Sequence, residues 1–400
     1  MFARNMFVRI FSVLSILACI LAVAPIKAAG APATIRYATP NGLTSGTCST
    51  WATVCTLQTA LTGAAANSEI WVAAGTYKPT TGSDRSTTFQ LKDGVAVYGG
   101  FAGTETVRTQ RHPGTHVTIL SGDIGTGGVK TDNSFHVVTG ATGAILDGFT
   151  ITLGYASNTT PPNCYGGGIY NYASSPTLTN LTVSNNWAYQ GGGIYNDNRS
   201  SPGLTNVTIS GNTASSLGGG MMNTGFSNPT LTNVTFSANS ANDGGGMLNW
   251  FASPILTNTT FSGNAASETG GAIHNWSESY PQVHNSILWG NTAVTSGAEI
   301  HSEDATTTVS YSVVQGGCSA ADICTSQLIT TDPKLGTLGN HGGYTQTIPI
   351  GAGSSAINKG DTSVCPATDQ RGEARVGVCD IGAYEYKAST NSLYLPLLVR

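Results

Sequence analysis

The sequence predicts an all-β fold: a single-stranded right-handed parallel β-helix with an N-terminal cap that carries one short helix and a C-terminal cap stapled by disulfides. Three observations predict it. A unit of about 26 residues opening on Gly-Gly recurs five times, aliphatic residues hold the same three phases in every copy, and charged residues make up only 10% of the chain while glycine reaches 51 of 400. Ordinary amphipathic helices need a far more charged outer face than this composition provides.

Residues 1–29 read as a secretory signal. Arg4 and Arg9 form a basic start, Ile10 to Ala24 is apolar, and Ala28 and Ala29 offer a small-residue cleavage site. The apolar run is too short to span a bilayer comfortably. Cys19 is a lipoprotein alternative, but the apolar run continues through it. Without this segment, which removes Arg4, Arg9 and Lys27, 14 basic face 21 acidic side chains. That balance argues against a nucleic-acid partner.

Residues 30–123 are expected to form the N-terminal cap and first coils. Within them EIWVAAGTY, FQLKDGVAVYGGF and HVTILSGDI read as successive strands, and LQTALTGAAA (Leu57 to Ala66) as the one helix. Capping fits this region because the open end of a stack exposes unpaired backbone and apolar side chains.

Residues 124–316 carry the solenoid, with clear copies over 166–296 beginning at Gly166, Gly191, Gly218, Gly244 and Gly270. Each copy holds short β-prone runs broken by Gly, Asn and Pro, and none has the length or period of a helix. The L-x-x-L-x-L pattern of leucine-rich repeats and the G-G-x-G-x-D nonapeptides of calcium-binding rolls are both missing. Stacking the copies at the ~4.8 Å strand spacing superposes three aliphatic columns. These are Ile169, Ile194, Met221, Met247 and Ile273; Leu178, Leu204, Leu231, Leu256 and Val283; and Val183, Ile209, Phe236, Phe261 and Ile287.

Three asparagine columns run beside them: Asn171, Asn196, Asn223, Asn249 and Asn275; Asn180, Asn206, Asn233, Asn258 and Asn285; and Asn186, Asn212, Asn239, Asn264 and Asn291. Asparagine tolerates the left-handed conformation of a tight turn and its amide bonds to copies above and below, so these ladders, that of Asn180 to Asn285 above all, are expected to be structural. AILDGFTIT upstream and TTVSYSVVQGG downstream continue the phase.

Residues 317–386 are expected to form the last coils and the C-terminal cap, and 387–400 a short apolar tail in which LYLPLLVR suits a sorting or anchoring role. Cys48 with Cys55, Cys318 with Cys324, and Cys365 with Cys379 are disulfide candidates in an oxidising compartment, while Cys164 is left as a buried thiol. Asp361, Asp369, Arg371, Glu373, Arg375, Asp380 and Glu385 are expected to form a network closing the bottom of the helix, with calcium as the alternative occupant.

The motifs GGAI at Gly270, FSAN at Phe236 and FSGN at Phe261 resemble the polymorphic outer-membrane-protein repeat family. Other copies depart to GGGI or GGGM and to VSNN, ISGN or LWGN, keeping Gly-Gly and Asn. IWVAAGTYKP, VYGGFAGTET and TILSGDI near the start, with DPKLGTLGNHGGYTQT, GSSAINKGD and TDQRGEARVGVCDIGAYEY near the end, resemble bacterial surface β-helix proteins with a choice-of-anchor Q domain. The resemblance implies a secreted or cell-surface setting in a bacterial envelope, adhesive or structural roles, and no particular chemistry.

The pectin-lyase-like fold also houses polysaccharide lyases and glycoside hydrolases, which require paired carboxylates, or acidic calcium ligands with a basic side chain. Residues 166–296 contain only Asp197, Arg199, Asp243, Glu268 and Glu278 as charges. Asp197 and Arg199 read as an ion pair or solvated turn, and His274 and His284 as surface or turn positions. No catalytic residue, metal site or cofactor is expected. Trp250 and Trp276 are the candidate binding aromatics among a wider spread of Trp and Tyr. The expected protein is a non-catalytic monomer that does not span the membrane, with glycans or envelope components as partners.

Overall fold

The computed structural model describes residues 34–325 and 327–388. The expected signal segment, Cys19 and the tail Leu393–Arg400 lie outside the described residues. From Ile35 the chain winds into a parallel β-solenoid of about nine turns with one α-helix, Leu57–Gly63. That helix is capped by Thr56, whose hydroxyl accepts from Thr59 N at 3.3 Å, and it buries Leu57, Ala60 and Leu61 over the first coil. The Cys48–Cys55 bridge lies beside it, with Cα atoms 5.2 Å apart.

A representative coil contains the strands Ile194–Asp197, Gly203–Ser210 and Thr213–Leu217. The next coil keeps an undivided middle strand, Thr230–Ser237, while in others it divides at its asparagine, as in Thr177–Thr179 and Thr182–Ser184. Coil pairs with coil in register: Ile194 opposite Met221, Leu204 opposite Leu231, Ile209 opposite Phe236. The three aliphatic columns are thereby fully withdrawn from water, and Phe236 stacks on Phe261 with centroids 4.4 Å apart. One expected member is wrong: Phe261 pairs with Leu288, not Ile287. Side chains alternate faces along a strand, so Leu288 enters the interior, while Ile287 points outward against Ile350 and Ile381. Two adjacent aliphatic residues had left the phase of this copy ambiguous.

At the Gly-Gly-Gly run the coils approach closely. Gly218 has φ +65°, and a Cβ on Gly219 would lie 2.4 Å from Ser240 O and 2.5 Å from Gly245 O.

The three asparagine columns occupy different environments. Asn171 to Asn275 is an interior ladder in which each Nδ2 donates to the next Oδ1 at 2.8 Å. Asn186 to Asn291 is a second interior ladder, bonded at 2.8–3.0 Å. It ends on Glu299, which accepts from Asn291 Nδ2 at 2.6 Å and from Asn291 N at 3.2 Å. The column Asn180 to Asn285 instead sits on an outer corner at φ 48–55°, with longer amide-to-amide contacts of 3.2–3.5 Å where these occur.

That corner is covered by the chain itself. Ile323–Cys324 pairs with Thr308–Val309, and the Cys318–Cys324 bridge and Leu328 close the end of the stack. Residues 329–386 then return along the flank. Asn285 Nδ2 donates to Asp361 O at 3.1 Å, Asn258 Nδ2 to Asp380 O at 3.0 Å and Asn233 Nδ2 to Thr368 O at 2.9 Å. Farther along, Thr208 Oγ1 donates to Gln346 O at 2.6 Å, and Tyr344 meets His112 edge-on.

The charged C-terminal residues therefore lock this return segment to the flank instead of closing the bottom. Arg371 pairs with Asp369 at 2.7 Å and Arg375 with Glu385 at 3.0 Å, all with side chains at most 7% exposed. Asp369 also accepts from the backbone N–H groups of Arg371, Glu373 and Glu385, and Asp380 from those of Asn358 and Tyr386. Each oxygen of Asp369 and Asp380 thus already accepts at least one N–H donor from the segment itself. Cys365–Cys379 ties the same segment, and Cys164 is a buried free thiol.

Candidate functional site

Opposite in character to the covered corner is the one that follows the strands Ile169–Tyr172, Ile194–Asp197, Met221–Asn223, Met247–Trp250 and Ile273–Trp276. Here too the turn needs left-handed residues, at Ala173, Asn198, Arg199, Phe226, Phe251, Ser277 and Glu278, with φ between 45° and 63°. The turns stack by backbone bonds, such as Arg199 N to Gly225 O and Phe226 N to Phe251 O. Nothing among the described residues covers their side chains fully: Tyr172, Phe226 and Tyr280 are 54–60% exposed.

The two candidate aromatics lie on this corner. Trp250 and Trp276 occupy equivalent positions of successive coils, half-buried, with ring centroids 5.3 Å apart. Phe226, Phe251 and Trp250 form a continuous run of rings at 6.0 Å steps. Beside them a shallow depression is lined by Tyr172, Asp197, Asn198, Arg199, Gly225 and Phe226. Among the described residues Asp197 and Arg199 form no ion pair. Asp197 accepts from Asn198 N at 2.6 Å, which leaves the exposed Arg199 guanidinium to solvent. Other aromatics pack against neighbours: Tyr195 is buried against Tyr165 and Tyr170, half-buried Trp187 lies tilted against Tyr155, and half-buried Trp289 packs against the return segment.

A second concavity opens where the tip of the return segment meets the early coils. Its wall includes Phe149, Thr150, Asn180, Thr182, Tyr344 and Gln346, and Tyr344 is its one ionisable side chain.

The family model for a protein of unknown function (DUF1565) matches residues 41–247, more than half of the sequence. The chain belongs to this family. The Chlamydia polymorphic membrane protein repeat matches residues 258–275, which contain the FSGN and GGAI motifs. No curated protein matches. Among solved structures, the crystal structure of pectate lyase Pel9A superposes with a TM-score of 0.56 at 15% identity, covering 88% of this chain and 96% of that one. At that identity the likeness is one of fold.

One of the two histidines departs from expectation. His284 lies on a strand with Nδ1 2.5 Å from Ser310 Oγ. His274, expected at the surface or in a turn, is 5% exposed on a strand, beneath the loop that carries Thr269. Burial lowers its pKa to about 4, against the opposing pull of Asp243. The outward phase of His274 was legible, but the covering loop was not, because it depends on the Gly270 turn at φ +68° folding back over the sheet.

Proposed function

We propose that the chain is an exported, non-catalytic β-helix protein of a bacterial surface that holds saccharide chains along its open aromatic corner. The carrying observation is the presence of Phe226, Phe251 and Arg199 at positive φ on an uncovered turn. A bulky side chain in that conformation costs about 1–2 kcal/mol that asparagine or glycine would largely avoid. Retaining rings there makes sense when their faces are used, and rings stepped at 5.3–6.0 Å along the axis suit an extended chain of sugars. Arg199 adds donors for ring hydroxyls or a sugar carboxylate.

The competing reading, a polysaccharide lyase, draws on the fold it shares with a pectate lyase. Against it, the depression beside Arg199 is lined by a single carboxylate, Asp197, and the concavity near Tyr344 is lined by no carboxylate and no basic side chain. Affinity electrophoresis in gels containing pectic and host polysaccharides tests both. Retardation without release of unsaturated or reducing-end products supports the binding role. Trp250→Ala and Phe226→Ala should each weaken retardation by the worth of one stacking contact, about 0.5–1.5 kcal/mol. Product release abolished by a single substitution would replace this reading with the enzymatic one.

A further inference from the structure

Two successive coils repeat one local arrangement, Thr269 with His274 and Ser296 with His301, each hydroxyl residue five positions before its histidine. Both pairs stack in register, Thr269 on Ser296 and His274 on His301. His274 Nδ1 lies 2.9 Å from Thr269 Oγ1, and His301 Nδ1 lies 3.1 Å from Ser296 Oγ. The Thr269 hydroxyl donates to Asp243 Oδ1, which also accepts from Thr269 N at 3.1 Å.

With its proton committed to Asp243, Thr269 Oγ1 can only accept from His274. The proton of the neutral imidazole is therefore on Nδ1, and Nε2 carries a lone pair. That Nε2 is buried and has no hydrogen-bond partner, on a side chain only 6% exposed. A buried acceptor without a donor is costly, and a Lewis acid satisfies it.

The neighbouring groups supply the remaining donors. His301 stands edge-on to His274 with centroids 4.9 Å apart, and Glu303 follows two residues later on the same strand. One ligating atom from each of His274, His301 and Glu303 lies within 4.8 Å of the others. Glu303 is exposed and free to swing inward, and two imidazoles with one carboxylate suit a borderline-soft ion bound at about 2.0–2.2 Å. Asp243 and Thr269 would orient His274 from behind, as outer-shell carboxylates do at metal centres.

We propose that His274, His301 and Glu303 bind one zinc ion on the outer face of the solenoid, with a fourth position open to an external ligand. The site adjoins the aromatic corner, Glu303 pairing with Trp276 and the His274 ring lying 6.4 Å from that of Trp276, so saccharide retention is read in chelator with no zinc present, and zinc uptake with no saccharide present. Isothermal titration of zinc chloride into the chelator-treated protein is expected to give one equivalent bound. His301→Ala and Glu303→Gln should each weaken binding by about tenfold or more, and His284→Ala should not change it. Thr269→Val should weaken it by about 10- to 100-fold while Thr269→Ser preserves it, a pattern that follows from the orienting hydroxyl. Circular dichroism of the metal-free variants checks that each remains folded, and Glu303, the exposed ligand, is the position least able to disturb the core. Absence of stoichiometric zinc uptake, or unaltered affinity in folded His301→Ala, overturns the proposal.

Discussion

Two outer corners of this solenoid impose the same demand on the backbone and meet it with different residues. At the corner beneath the return segment, Asn180, Asn206, Asn233, Asn258 and Asn285 take up the left-handed turn. At the open corner Ala173, Arg199, Phe226, Phe251, Ser277 and Glu278 do so, with Asn198 as the one asparagine among them. Asparagine is the least strained choice short of glycine, and it is kept wherever its amide meets the chain's own carbonyls. The side chain chosen for a strained turn therefore records what lies above it: protein over one corner, solvent and its solutes over the other.

The most severe way to break this contrast is to unlock the covered corner. Arg375→Ala removes the partner of buried Glu385 and a donor to Asn233 Oδ1, 3.0 Å away. Leaving that carboxylate buried and unpaired should cost about 3–5 kcal/mol, read as a fall in the urea midpoint. A shift no larger than that of an exposed control would mean the return segment contributes little.

A second test uses the interior asparagine ladder, which neither solvent nor the return segment touches. Its terminal Glu299 has its pKa pushed up by burial from about 4.5 to about 7. The folded protein holds this proton over a range where the unfolded chain has released it. The contribution to stability is thus full below about pH 4.5 and is lost as pH rises through about 7, by up to about 3 kcal/mol. Melting temperature measured against pH should lose this part of its slope in Glu299→Gln.

Next in size, Asn233→Ala should cost about 1–3 kcal/mol by stranding Thr368 O and Arg375. The smallest effect is expected at the open corner and has the opposite sign. Phe226→Asn should raise stability by about 1 kcal/mol through relief of the left-handed strain, while saccharide retention falls. Chemical denaturation and affinity electrophoresis on the same preparation separate the two. A destabilised Phe226→Asn would show that the ring packs for stability, and the distinction between the corners would fail.

The coil and its columns were legible because each copy repeats the same evidence at a fixed offset, and errors in one copy are corrected by the others. Where that redundancy lapsed, as at the Ile287-Leu288 pair, the register slipped by one residue. The position of the return segment was not legible. Its contacts join residues more than a hundred positions apart, such as Thr235 to Gln370, and a run of asparagines reads alike with or without a cover. Trp250 and Trp276 were identifiable from their phase. Of the two readings of Asp197 and Arg199, ion pair or solvated turn, the structure shows the turn, with the carboxylate engaged by Asn198 N.

The return segment also bears on how the molecule is made. A stack of coils can zip up as the chain emerges, each coil docking on the one before. Residues 340–385 leave the ribosome after every coil they clamp, so the growing rod stays unlatched along one side until synthesis is nearly finished.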